Sequence, residues 1–221
     1  MSARGSAYRV VAIDGPAASG KSSVARALAK QIGFDYVNSG AMYRAVTWHV
    51  LSNGVSPGDA AAIIRLLEKT RIDCTLDGHV SGILIDGVDP SSHLCEDRVN
   101  EEVSLVSSVP RLREILVEKM RGYAVDRDIV MEGRDIGSVV FPDTPYKFYI
   151  DASPDVRLRR RQAQGLRDHI AARDRADSSR RASPLIIAED AHVIDSSNLT
   201  IEGVVGEIIG RLKLKGLTSA R

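Results

Sequence analysis

The sequence predicts an α/β protein: a five-stranded parallel sheet with helices on both faces, interrupted by an inserted α+β subdomain. Three observations carry this. "RVVAID", "FDYV", "DIVMEG", "YKFYID" and "AHVID" are short runs rich in β-branched and aromatic residues, as strands covered on both faces are. Helical patterns separate them, which favours parallel pairing. One block, roughly 58–123, breaks the alternation with a hairpin signal.

In chain order, the first strand covers Arg9 to Asp14 and stops at Gly15. Val24, Leu28 and Ile32 then recur at i, i+4, i+8 and mark a helix that Gly33 ends. "FDYV" is the second strand, and a second helix runs from about Gly40 to Ser52 before Asn53-Gly54. Ser56-Pro57 looks like an N-cap followed by proline at the first helical position, opening a helix through "DAAAIIRLLEKT". "RIDCTLDGHVSGILID" predicts two strands around a type I′ turn at Asp77-Gly78. "NEEVSLVSS" and "PRLREILVEKM" are helical, the second with a stripe of Leu112, Ile115, Leu116 and Lys119 or Met120. Two more strands follow, and Ser153-Pro154-Asp155 starts an arginine-rich helix. After the last strand, Ile201, Val204, Val205, Ile208, Ile209 and Leu212 form the apolar face of a final helix.

Composition narrows the function classes. With 43% hydrophobic and 27% charged residues, the chain can bury an ordinary globular core. A net charge of +1 supplies no global field for nucleic acid or a membrane surface. Cys74 and Cys95 make no metal-ligand spacing with each other or with the histidines, and two thiols suit a reducing compartment. "MSARGSAY" has no apolar signal region, and no apolar run approaches the length of a span. The expectation is a soluble cytoplasmic protein with no nucleic-acid or membrane partner.

The strongest motif is "AIDGPAASGKSSVARALA". Gly15, Pro16, Ala17, Ala18, Ser19, Gly20, Lys21 and Ser22 fill GxxxxGK[ST], between a strand and a helix as the motif requires. The glycines let backbone N–H groups turn inward and approach a phosphate chain, and the helix N-terminus adds partial positive charge. Lys21 is placed for the β- and γ-phosphates of ATP and the Ser22 hydroxyl for Mg²⁺; Ser23 completes the ATP-binding set. Asp14 has two readings: ordering Mg²⁺ or its waters, or capping the turn.

The guanine-reading NKxD of switch GTPases and the LSGGQ-like signature of transporter ATPases are absent from the sequence. A small-molecule kinase remains. If its acceptor is itself a phosphate, two polyanions must meet. At about 4 Å two unit charges repel by about 4 kcal/mol at an effective dielectric of about 20. Arginines answer this best, because their fork binds phosphate oxygens bidentately. Water must also be excluded, so a mobile cover is expected. Three clusters fit: Ser39, Tyr43 and Arg44 in "NSGAMYR"; Arg134 and Asp135 in "EGRDIGSVVFPD"; and Arg173, Asp177 and Arg180 at i, i+4, i+7 in "RDRADSSRRASPL". Arg134 and Asp135 follow a strand's carboxyl end, where ligands of open parallel sheets bind.

With "IDGPAASGKSSVA", "VNSGAMYRA", "SSVPRLRE" and "MEGRDIGSVVFPD", these motifs make the chain resemble the bacterial cytidylate kinases of the long type, from about Val10 to Leu212. The resemblance implies a three-layer P-loop fold and transfer of the γ-phosphoryl group of Mg-ATP to CMP or dCMP by a monomer. It implies a core of residues 1–57 and 124–221, a lid at about 154–183, and an acceptor subdomain at 58–123. By the same resemblance, Ser39, Arg44 and Arg134 would meet the acceptor phosphate, and Ser104, Arg113 and Asp135 the cytosine. Arg173 and Asp177 would meet the ribose, with Arg173, like Lys21 and Arg134, also serving catalysis; Arg180 would hold phosphates and lid. A carboxylate at Asp135 suits the N4 amino donor that distinguishes cytosine from uracil. Ala176 stands where some relatives carry a further arginine, which leaves the number of lid cations open. The rival readings are a kinase for UMP, AMP or a small non-nucleotide acceptor, and an ATP-binding regulator without turnover.

Overall fold

The computed structural model describes residues 9–163, 174–175, 177–179 and 185–217. Seven strands form one sheet, β1 (Val10–Asp14), β2 (Asp35–Asn38), β3 (Ile72–Asp77), β4 (Val80–Ile85), β5 (Ile129–Gly133), β6 (Tyr146–Asp151) and β7 (His192–Asp195), in the order β3-β4-β2-β5-β1-β6-β7. The five expected parallel strands are the run β2-β5-β1-β6-β7. The hairpin, expected to stand apart, widens that sheet to seven strands: β4 joins β2 in parallel at Tyr36↔Val80, and β3 pairs antiparallel with β4.

Strand periodicity sorts the core into two faces. Val10, Ala12, Val37, Ile129 and Met131 face α2 (Ser39–Ser52), α3 (Ala60–Leu67), α4 (Asp97–Val106) and α5 (Pro110–Gly122). Val11, Ile13, Tyr36, Val130, Phe148, Ile150 and Ile194 face α1 (Lys21–Ile32) and the last helix, Ile201–Leu214. The result is three layers, with α6 (Pro154–Ala163) following β6; Ile201–Leu214 is α7.

Local chemistry adjusts several sequence-based boundaries. Helix α3 starts at Ala60, not after Ser56: the Asp59 carboxylate accepts the Ala62 N–H at 2.9 Å and caps it, while Ser56 closes a preceding turn through its carbonyl. The hairpin turns at Gly78-His79 (φ +52° and +68°), one residue later than Asp77-Gly78. His79 takes the left-handed position because Nδ1 meets Asp35 Oδ1 at 2.6 Å and its carbonyl accepts from Tyr36 N–H at 2.9 Å. In α7, Val204, Val205, Ile208 and Leu212 are buried, but Ile201 in the first turn is exposed.

Candidate active site

Strand β1 delivers the chain into the phosphate loop at Gly15, where φ is +154° and a Cβ would stand 2.1 Å from the Ile150 carbonyl oxygen. Only glycine lets the loop lie this close to β6. Ala18 has φ +59°, and Gly20, φ +89°, opens α1. Lys21 is buried, and its ammonium donates to the Pro16 carbonyl at 2.9 Å, arching back over the loop.

The Ser22 hydroxyl donates to the Glu132 carboxylate at 2.8 Å, and the Tyr36 hydroxyl reaches the same oxygen at 3.3 Å. Burial and the Glu132 charge push the Tyr36 phenol well above its usual range. Glu132 was not among the sequence-based candidates. Its signal was a carboxylate at the next-to-last position of an otherwise apolar strand, "DIVMEG". The Asp14 carboxylate accepts the Ile136 N–H at 2.8 Å and the Gly137 N–H at 2.7 Å, so the turn it caps is the one after β5. Burial outweighs these bonds and pushes its pKa up to about 7.

The first two predicted clusters converge on this loop. At the end of β2, Asn38 caps α2 by accepting the Ala41 N–H at 3.0 Å, which sets Arg44 one turn along the helix. The buried Ser39 hydroxyl donates to the Glu132 carbonyl at 2.7 Å, tying α2 to β5. One residue past β5, Arg134 donates to the Gly15 carbonyl at 2.8 Å and pairs with Asp177 at 2.7 Å. Burial, and then the nearby Arg134 charge, lower the Arg44 pKa, as expected of guanidinium groups gathered to meet an anion. Arg113 from α5 pairs with Asp135, both side chains about nineteen-twentieths buried (5% and 4% exposed). Arg113 also donates to the Ser107 carbonyl at 3.2 Å and lies 5.1 Å over the Tyr43 ring.

Of the third cluster, Arg173 and Arg180 lie outside the described residues, as does Ala176. Asp177 is buried at the site and also accepts from the Ser104 hydroxyl at 3.1 Å. Two arginines of α6, not singled out individually from the sequence, reach the loop: Arg157 donates to the Ala17 carbonyl at 3.3 Å and Arg160 to the Ser19 carbonyl at 3.2 Å. Asp174 pairs with Arg157 and accepts the Ala17 N–H at 3.2 Å.

Many of these groups share one cavity of about 180 Å³, lined by Ala17, Ala18 and Gly20 to Ser23 of the loop region together with Ser39, Tyr43, Arg44, Ser104, Arg113, Glu132, Arg134, Asp135 and Asp177. Its lining combines loop residues and Lys21 with guanidinium groups and the carboxylates of Glu132, Asp135 and Asp177. Among the described residues no three His, Cys, Asp or Glu side chains form a metal cage. The hydroxyl of Ser22 beside the Glu132 carboxylate is nevertheless a hard-oxygen pair of the kind that fits Mg²⁺, which takes few protein ligands and completes its shell with phosphate oxygens and water. Among the described residues no helix is long and apolar enough to cross a membrane.

Comparison with known proteins agrees with this geometry. A family model described as cytidylate kinase matches residues 11–214. The cytidylate kinase of Caldanaerobacter subterraneus subsp. tengcongensis is 43% identical over 209 residues, 90% of this chain and 92% of that protein. That of Pelotomaculum thermopropionicum is 42% identical over 214 residues, 91% of this chain and 95% of that protein. That of Mycobacterium leprae is 42% identical over 216 residues, 92% and 95% of the two chains.

Proposed function

We infer the roles of the site from one premise: this chain belongs to the cytidylate kinase family. It is a phosphotransferase that moves the γ-phosphoryl group of ATP to CMP or dCMP, giving CDP or dCDP and ADP. What remains to be assigned is which side chain does what. The assignment rests on one observation above others: Arg44, Arg113, Arg134 and Asp135 line the same cavity as Lys21 and Ser22 of the phosphate loop.

The loop from Gly15 to Ser23 binds the phosphates of ATP through backbone N–H groups and the Lys21 ammonium. Mg²⁺, when bound, neutralises charge on those phosphates, and Ser22 and Glu132 are the side chains that would hold it or its waters. Arg44 and Arg134 bind the acceptor phosphate, offsetting the repulsion that otherwise keeps the two anions apart. Ser39 fixes α2 against β5, so that Arg44 faces the loop. An acceptor phosphate oxygen attacks the γ-phosphorus in line as the bond to the ADP oxygen breaks, with no covalent enzyme intermediate. Lys21 and Arg134 stabilise the charge on the group in flight. Arg173 and Arg180 keep the catalytic and phosphate-holding roles that the motif implies.

Asp135 and Arg113 read the base together. The carboxylate accepts from the cytosine N4 amine, and the Arg113 partner keeps it aimed; Tyr43 and Ser104 complete the wall. Asp177 exchanges its Ser104 and Arg134 contacts for the sugar hydroxyl. On this reading residues 58–123 form the acceptor subdomain, 1–57 and 124–221 the core, and the enzyme acts as a monomer in the cytoplasm.

The test is ADP formation from Mg-ATP with CMP, dCMP, UMP, AMP or no acceptor. CMP and dCMP should give the highest kcat/KM. A preference for UMP or AMP would overturn the base assignment. ADP without acceptor would mark an ATPase, and no ADP at all a nucleotide sensor.

A further inference from the structure

Arg44 is held by a side chain with no role in the scheme above. Asn100 lies in the first turn of α4 and is buried. Its Oδ1 accepts from Arg44 Nε at 3.3 Å. The orientation of this amide is not free. Its Nδ2 group donates to the Cys95 carbonyl at 3.0 Å and the Glu96 carbonyl at 3.2 Å, so a flipped amide would set its oxygen against two carbonyls. The carbonyl end must therefore face Arg44.

The consequence for Arg44 is specific. An arginine side chain has several rotatable bonds, and an unrestrained guanidinium spends much of its time away from any one geometry. Fixing Nε leaves the two terminal nitrogens for a phosphate, in the end-on fork that can bind two of its oxygens. Gly40 completes the seat: a Cβ there would stand 3.0 Å from Arg44 Nη1, so the bare first turn of α2 leaves room for the fork. Arg44 lines the cavity, whereas Asn100 is not among its lining residues and so acts through Arg44.

We propose that Asn100 is a positioning residue for phosphoryl acceptance: it clamps Arg44 at Nε and thereby presents the guanidinium fork to the acceptor phosphate. The proposal rests on the assignment of Arg44 to that phosphate. It extends the acceptor site to the start of α4, whose Cys95 and Glu96 carbonyls orient the clamp.

Initial rates of N100A, R44A and the double variant test it, with CMP and ATP varied separately. In N100A the KM for CMP should rise about tenfold, the size of one hydrogen bond to a charged group, with the KM for ATP unchanged. A residue that merely supports the fold would move both constants together. In the R44A background, adding N100A should change the CMP constant by less than about twofold, because the residue it acts through is gone. An unchanged KM for CMP in N100A, or full additivity in the double variant, overturns the clamp while leaving Arg44 in place. An R44A variant with a normal KM for CMP overturns the Arg44 assignment itself. Should N100A fail to fold, exchange of the Arg44 Nε proton in the intact wild type decides: protection supports the clamp, and exchange as fast as at an exposed arginine refutes it.

Discussion

Replacing Asp135 with asparagine preserves the side-chain shape and removes one charge from the base-reading pair. In the wild type, Arg113 and Asp135 are 5% and 4% exposed, so the pair is closed off from water. Removing one partner of such a pair costs about 3–5 kcal/mol. The variant amide still offers an oxygen to Arg113, which also keeps the Ser107 carbonyl at 3.2 Å and the Tyr43 ring at 5.1 Å. The expected loss of folding stability is therefore smaller, about 2–3 kcal/mol. At the base, a carboxylate can only accept and so favours the N4 amine of cytosine. An amide can turn its NH₂ towards the carbonyl that uracil carries instead. A well-made contact of this kind discriminates by about 1–3 kcal/mol, so the ratio of kcat/KM for CMP over UMP should fall by about fivefold or more. Urea unfolding gives the first quantity and initial rates with each monophosphate the second. A folded Asp135→Asn enzyme with an unchanged CMP-to-UMP ratio would remove Asp135 from base reading. An unchanged unfolding midpoint would contradict the energetic weight given to the buried pair.

Three further outcomes are expected. Lys21→Ala should lower kcat by about a hundredfold or more while moving the Tm by only a few degrees, because the role proposed for its ammonium is to stabilise the transferring group; near-normal turnover would remove Lys21 from catalysis. Glu132→Gln should raise the Mg²⁺ concentration needed for half-maximal rate by about tenfold, read from rates at fixed ATP; an unchanged requirement would leave Glu132 only as the partner of Ser22 and Tyr36. Asp14, with a folded pKa of about 7 against an ordinary 3.8, holds a proton in the native state that the unfolded chain releases. Its contribution to stability is thus complete below about pH 4 and is lost as pH rises to about 7, at up to about 1.4 kcal/mol per pH unit. Unfolding free energies across this range should fall less steeply in Asp14→Asn than in wild type, and identical slopes would refute the shift.

Much of this architecture is legible in the sequence because its signals are local. Five apolar runs gave five parallel strands, and GxxxxGK[ST] placed Lys21 and Ser22 at a helix start. The hairpin turn was misplaced by one residue because Asp-Gly is a strong local signal, while the contacts of His79 with Asp35 and Tyr36 are not local. The start of α3 went astray similarly: Ser56-Pro57 and Asp59 are competing caps, and the Asp59 carboxylate takes the Ala62 N–H. At the site, the predicted Arg44, Arg113, Arg134 and Asp135 gather from α2, α5 and the turn after β5. Glu132 stands inside "EGRDIGSVVFPD" but was passed over for its neighbours Arg134 and Asp135, and Asn100 belongs to no motif. Each becomes notable only when a residue distant in sequence, Ser22 or Arg44, arrives beside it. Asp14 remained open for a related reason, since its N–H donors come from residues 122 and 123 positions away.

The most direct measurement is a crystal structure with CMP and a non-hydrolysable Mg-ATP analogue bound together. The acceptor phosphate should lie between Arg44 and Arg134, the cytosine N4 against Asp135, and the γ-phosphate within reach of Lys21. A CMP phosphate lying away from both guanidinium groups, or a base directed away from Asp135, would contradict the site as a whole.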